Sequence, residues 1–229
     1  MAPAHEHEFE AAHGLPEALP EGEVQLWQGR PDARLLARQA LHLDLVAGYF
    51  ALLLAWRAAT SWAEGATLAQ TLAGLAGMLP LIALACGLLA GMAVLIARTT
   101  VYTLTNRRVV MRVGVVLSIS FNLPFTQIAS AAWRARGRGG DIVLQLAGSE
   151  RIAYLHLWPH ARPWRLKQTQ PMLRALADAP AVAALLADAL QAAQAQAQAS
   201  RDALPQRAVV ADVAGTPATP GPRALPQAA

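Results

Sequence analysis

Charge is scarce in this sequence. Only 15% of its 229 residues are charged, against 55% that are hydrophobic, whereas a soluble domain carries about 25% charged residues. The shortfall points to a membrane protein. Cysteine is nearly missing as well: Cys86 stands alone inside an apolar run. A disulfide within the chain and a cysteine-built zinc site are therefore excluded, and Cys86 reads as a small hydrophobe facing lipid or a neighbouring helix. No glycine-rich phosphate loop, nucleophile elbow or spaced metal motif occurs. The acids of the central region, Asp141 and Glu150, have no partner that the sequence identifies, so catalytic residues are not expected. The opening run "MAPAHEHEFEAAHGLPEALPEGE" lacks a basic n-region and an apolar h-region. It is not expected to be a signal peptide, and the first membrane segment then serves as its own uncleaved insertion signal.

What is present is a pair of apolar runs. From Gly65 to Ala97 there are 33 residues without a charge, more than the roughly 20 needed to cross a bilayer. The earlier run, "LHLDLVAGYFALLLAW", has a charge-free core of only 12 residues, Leu45 to Trp56. It spans if His42, Asp44 and Arg57 sit at headgroup level, with Trp56 and Trp62 at the far interface. The expected organisation is an acidic N-terminal segment, short strand and basic juxtamembrane stretch over 1–40, and then a transmembrane hairpin over 41–98 (spans at about 41–59 and 72–97). Arg30, Arg34 and Arg38 precede the hairpin and Arg98, Arg107, Arg108 and Arg112 follow it, while its connecting loop holds one Arg. The positive-inside rule puts both termini in the cytoplasm. Gly74, Gly77, Gly87 and Gly91 give the second span smooth faces. The spacing of Gly87 and Gly91 suits packing against the first span, or a homodimer.

The remainder reads as β structure and a helix. "TNRR" is a break of hairpin length between "VYTL" and "VVMRV". Leu117, Ile119, Phe121 and Leu123 alternate with polar residues, the period of a half-buried strand. "DIVLQL" and "RIAYLHL" flanking "AGSE" suggest another hairpin, giving about six strands between 100 and 158. "PMLRALADAPAVAALLADALQAAQAQAQ" has helical propensity, Pro180 dividing it, with Val182, Leu185, Leu186 and Ala189 on one apolar face. The Ala- and Pro-rich stretch over 199–229 is expected to be disordered.

Antiparallel strands closed by one helix outline a pleckstrin-homology-like domain, over 99–198. "VYTLTNRRVVMRVGVV…LPFTQIAS" resembles bacterial PH-like domains found beside membrane spans, through Tyr102, Leu104, Thr105, Arg108, Gly114, Pro124 and Ile128. The run from "EHEFEAAHG" to "FALLLAWR", with "WPHARPW…QPMLRAL", resembles the PuhB family of assembly proteins for photosynthetic complexes. The implied fold class is membrane α + β: a two-helix transmembrane hairpin, then a PH-like antiparallel β domain with a C-terminal helix. The implied function is a membrane-bound, non-enzymatic factor for assembling the reaction centre and its core light-harvesting antenna, whose subunits would be its partners. The alternative is an anionic-lipid-binding or envelope scaffold on the same fold.

The candidate contact residues are basic. Residues 98–174 hold twelve basic side chains against two acids, a surplus of ten, which favours anionic lipids or acidic protein loops. Arg134, Arg136 and Arg138 alternate and would share one face of a strand. With Arg107, Arg108 and Arg112 they would form one basic surface. The competing reading is ordinary juxtamembrane charge. Nucleic acid is not expected, because no recognised binding motif or stacked aromatics accompany the charge. The acidic segment with Glu6, Glu8, Glu10, Glu17, Glu21 and Glu23 could fold against this basic domain. His5, His7 and His13 lie in the same short run without fixed geometry, so no metal is expected there. His42 could ligate a bacteriochlorophyll magnesium; its bland alternative is an interfacial histidine paired with a headgroup or Asp44. Trp158, His160 and Trp164 read mainly as packing residues.

Overall fold

The computed structural model describes residues 15, 17–115, 117–137, 139–148, 152–166 and 168–214. Strand β1 (Gln25–Gly29) is followed by helix α1 (Ala33–Gln39), whose N-cap Asp32 accepts a hydrogen bond from the Leu35 amide. Helices α2 (Leu43–Ala63) and α3 (Leu68–Thr99) form the hairpin. Both are long and apolar enough to cross a membrane. Large side chains such as Leu45, Leu52, Leu72, Leu81 and Leu88 point outward from them. A soluble protein would bury such surface; here lipid is the medium that suits it.

The hairpin turn is built locally. Glu64 caps α2, and Gly65 follows with a φ of +80°. The Gly65 and Ala66 amides donate to the carbonyls of Trp62 and Ser61, a Schellman closure for which glycine is the favoured residue. Thr67 then opens α3 with a full capping box to Gln70. At 32 residues, α3 is about 48 Å long and exceeds the hydrocarbon thickness of about 30 Å. Its last turns accordingly serve the domain beyond: Ala93, Ile96 and Ala97 are buried, with Ile96 against Leu36 of α1. The expected glycine packing against α2 is not found. A methyl group added at Gly74, Gly77, Gly87 or Gly91 would meet nothing within 4 Å, so these residues do not form the contact with α2.

Among the described residues seven strands make two antiparallel sheets. The first has the order β1-β2-β3-β4, with β2 at Val101–Thr105, β3 at Arg108–Val113 and β4 at Ile119–Pro124. β1 precedes the hairpin in sequence yet pairs with β2 beyond it, so the sheet binds the two ends of the hairpin together. After a short 3-10 turn at Phe125–Gln127, the second sheet runs β5-β6-β7, with β5 at Ile128–Arg136, β6 at Gly139–Leu146 and β7 at Met172–Leu176. Between β6 and β7 lies a one-turn helix, α4 (Tyr154–Leu157), and the last element is α5 (Ala179–Ala214). The chain divides into compact units at Leu190. Up to that point α5 buries Ala179, Val182, Leu186 and Ala189.

Four expectations are corrected here. "RIAYLHL" is not the partner of β6: it contains α4, with Leu157 buried and Leu155 exposed. The partner is "MLRAL", read from composition as helix, which forms β7 and is buried throughout. Local propensity yields when a sheet edge offers pairing and full burial. Alternation in β4 buries only Leu123 well; Ile119 and Leu117 are exposed toward the start of this edge strand. Finally, α5 starts at Ala179 with Pro180 in its first turn, where proline costs no hydrogen bond. It continues to Ala214, so helix occupies about half of the stretch expected to be disordered, and 215–229 lie outside the described residues.

Candidate functional site

The second sheet has two unlike faces. One, with Ala131, Trp133 and Ile142, lies against the start of α5. The other carries a cleft of about 550 Å³ lined by Arg134 and Arg136 of β5, Asp141 of β6 and Arg174 of β7. Arg162 and Trp164, from the segment before β7, and Gln39 and His42, from the approach to α2, complete its walls. His42 is the N-cap of α2, with φ +54°. The cleft therefore opens where the chain enters the first membrane helix.

A bulge in β7 aims the deepest arginine. Leu173 pairs with Ile142 and Leu176 with Gly140, so Arg174 and Ala175 together oppose Asp141 alone. Such a bulge bends a strand and redirects a side chain. Its backbone is pinned on both sides: the Ala175 amide donates to Asp141 Oδ1 at 2.9 Å, and the Ala175 carbonyl accepts from the Asp32 amide at 2.8 Å. Ala175 holds φ +53°, a left-handed conformation that costs a residue with a Cβ about 1 kcal/mol. Ala175→Gly is expected to raise stability by up to about 1 kcal/mol, read as an upward shift in thermal midpoint; a fall would show that the methyl packing outweighs the strain.

Electrostatics in the cleft favour an anion. Asp141 is buried and faces Arg136 at 3.4 Å. Arg162 donates to Gln170 Oε1 at 2.9 Å and Arg174 to the Pro159 carbonyl at 3.0 Å. Among the described residues no carboxylate lies within ion-pair distance of Arg134, Arg162 or Arg174. Burial pulls the Arg174 guanidinium below its ordinary pKa; the Asp141 charge opposes this and the Arg136 charge adds to it. Gln39 Nε2 donates to the Arg136 carbonyl at 2.9 Å, which orients the amide and leaves its buried Oε1 without a partner among the described residues.

Behind the cleft lies a polar network closed to water. Tyr102 Oη is 2.6 Å from His160 Nδ1, His160 Nε2 is 3.2 Å from Thr100 Oγ1, and the Arg174 amide donates to Tyr102 Oη. In the neutral ring one of these two nitrogens donates and the other accepts. Burial, helped by the Arg174 charge, pushes the His160 pKa down to about 3, while burial raises that of Tyr102.

The structure places the expected basic residues on two sheets. Arg134 and Arg136 line the cleft, and Arg138 lies outside the described residues. Arg107, Arg108 and Arg112 belong to the first sheet or its turn and line none of the cleft. Arg108 is half-buried and donates to the buried Glu23 at 2.7 Å. The turn is organised by Thr105, whose hydroxyl accepts from the amides of Arg107 and Arg108, and by Asn106, which hydrogen-bonds Val24 and Gly22. One of the six N-terminal glutamates thus folds against the basic domain; Glu6, Glu8 and Glu10, with His5, His7 and His13, lie outside the described residues. Asp44 pairs with Arg38 at 2.8 Å, not with His42. Arg162, Arg174 and Gln39 were not anticipated, because each reaches the cleft through a pairing or packing that no local pattern encodes.

A two-helix hairpin leading directly into a β domain with a basic cleft defines a membrane-associated PH-like protein. Residues 40–190 match the family described as Bacterial PH domain, and the chain belongs to that family, whose members are generally non-catalytic. Over 191 residues it is 40% identical to a Rhodobacter capsulatus protein described as "Uncharacterized 23.7 kDa protein in puhA 5'region", covering 82% of this chain and 89% of that one. No solved structure matches.

Proposed function

We propose that this protein is a non-enzymatic assembly factor for the photosynthetic reaction centre and its core light-harvesting complex. It would work at the bacterial inner, intracytoplasmic membrane with both termini in the cytoplasm. The observation that carries the reading is the 40% identity, along most of both chains, to a protein described by its place beside a photosynthesis gene. The resemblance of the N-terminal run and the "WPHARPW" segment to PuhB assembly proteins agrees with it. A hairpin confines the β domain to one surface, where the local concentration of membrane-bound clients is high and weak contacts suffice. Weak contacts also permit release, which assembly requires.

Deleting the gene in its native host is expected to remove most of the near-infrared absorption of the reaction centre and core antenna, with mRNA for their subunits unchanged. Expression in trans should restore the bands. An unchanged membrane spectrum would defeat the assembly reading.

A further inference from the structure

We propose that strand β5 is a docking edge for an extended segment of a partner protein, one that alternates acidic and apolar residues and adds to the second sheet as a further strand. β5 is nine residues long and lies at the edge of its sheet. Among the described residues it pairs with β6 alone, and the register is unbroken from Ser130 to Arg136. Every second residue of such an edge turns its amide and carbonyl away from the sheet, where another strand can pair with them. The seven residues from Ala129 to Ala135 are all exposed, whereas β6 beside them is mostly buried. Proline and lysine, which commonly blunt free edges, are both missing from β5. An edge this long, regular and bare is an aggregation hazard unless something covers it.

The two faces along this edge define the occupant. On one, Ser130, Ala132, Arg134 and Arg136 line the cleft. Arg162 and Arg174 add to its charge, and Asp141, the one acid lining it, is already held by Arg136. On the other face, Ala131 and Trp133 border an apolar hollow of about 320 Å³, closed by Ala183, Ala187 and Leu190 of α5. Side chains of an added strand alternate between these faces. Its acids would meet guanidinium forks and its apolar residues would fill the hollow, while main-chain bonds to β5 supply the pairing. An amphipathic helix does not fit, because its period differs from that of β5. A second copy of β5 is a poorer match, since continuing the cleft across the pair sets arginine against arginine. The inference goes beyond the assembly reading and does not depend on it; peptide affinity and the deletion spectrum fail independently.

The test is fluorescence anisotropy of the labelled, end-blocked peptide GEVEVEVEG against the full chain in detergent, where saturable binding is expected. GEEVVVEEG keeps the composition and breaks the alternation. GKVKVKVKG reverses the charge. The first peptide N-methylated at two adjacent central residues loses a backbone donor whichever way it pairs. Each of the three should bind about tenfold more weakly or worse. R134E and A187E, at exposed positions on the two faces, should each weaken binding of the first peptide by about tenfold, with the thermal midpoint unchanged. The peptide comparisons decide the matter even if a variant misfolds. Hydrogen exchange of the β5 amides should slow on binding, which attachment by charge alone would not produce. Equal binding of the rearranged or N-methylated peptide, or unchanged β5 exchange at saturation, would overturn strand addition. The chain's own Glu6, Glu8 and Glu10 also alternate with other residues. Binding that emerges only in E6Q/E8Q/E10Q would assign the edge to that run and overturn the partner; no binding to either form would overturn the site.

Discussion

Asp141→Ala is expected to lower the stability of the β domain by about 1–3 kcal/mol, mainly the cost of stranding a buried amide, with a smaller part from the half-exposed pair with Arg136. The carboxylate has two roles that alanine cannot fill. Oδ2 faces Arg136, and Oδ1 accepts from the Ala175 amide inside the β7 bulge. Removing it leaves Arg136 and Arg174 facing each other without a counter-charge, and strands a buried amide that costs about 1–3 kcal/mol. Asp141→Asn keeps an acceptor for the amide and loses only the charge, so its loss should be smaller. Thermal unfolding of the full chain in detergent, followed by near-ultraviolet circular dichroism, measures both. Equal, small losses in the two variants would mean that the bulge does not depend on Asp141.

The second large effect is acid sensitivity through His160. Its pKa is about 3 in the folded chain and about 6.5 when unfolded. Between those values the unfolded state binds a proton that the folded state does not, so stability falls as pH falls. The loss begins below about pH 6.5 and approaches 1.4 kcal/mol per pH unit. The cause is structural: burial disfavours the charged ring, and the Arg174 charge repels it. Gln supplies an acceptor and a donor in similar positions but does not titrate. His160→Gln should therefore show a shallower dependence of the thermal midpoint on pH between 6.5 and 4.5, whatever its stability at neutral pH. Parallel profiles for the two proteins would show that His160 protonates freely in the folded state.

These sites were unequally legible. His160 reads as a packing residue and is buried, whereas Trp158 and Trp164 of the same cluster are exposed. Its partners could not be read: Thr100 and Tyr102 lie about 60 residues away, and only the approach of the 158–161 segment to the start of β2 joins them. Arg134 and Arg136 were recognisable from their alternation, because a period of two places them on one face of a strand. Arg174 was hidden in "PMLRAL", whose Met, Leu, Arg and Ala are good helix formers.

The sequence by itself determined the membrane hairpin. A stretch without charge that exceeds the bilayer thickness has few alternatives, since every backbone group must be satisfied within the segment and every side chain must tolerate lipid. It also determined the first hairpin of the β domain, where Thr105 organises the turn by contacts within a few residues. Tertiary structure alone decided which strand completes the second sheet, and with it where the arginines converge. Pairing of β6 with β7 is a long-range choice, made by burying "MLRAL" completely and by anchoring the Ala175 bulge to Asp141 and Asp32. Those gains come from residues distant in sequence, so no local pattern could announce them.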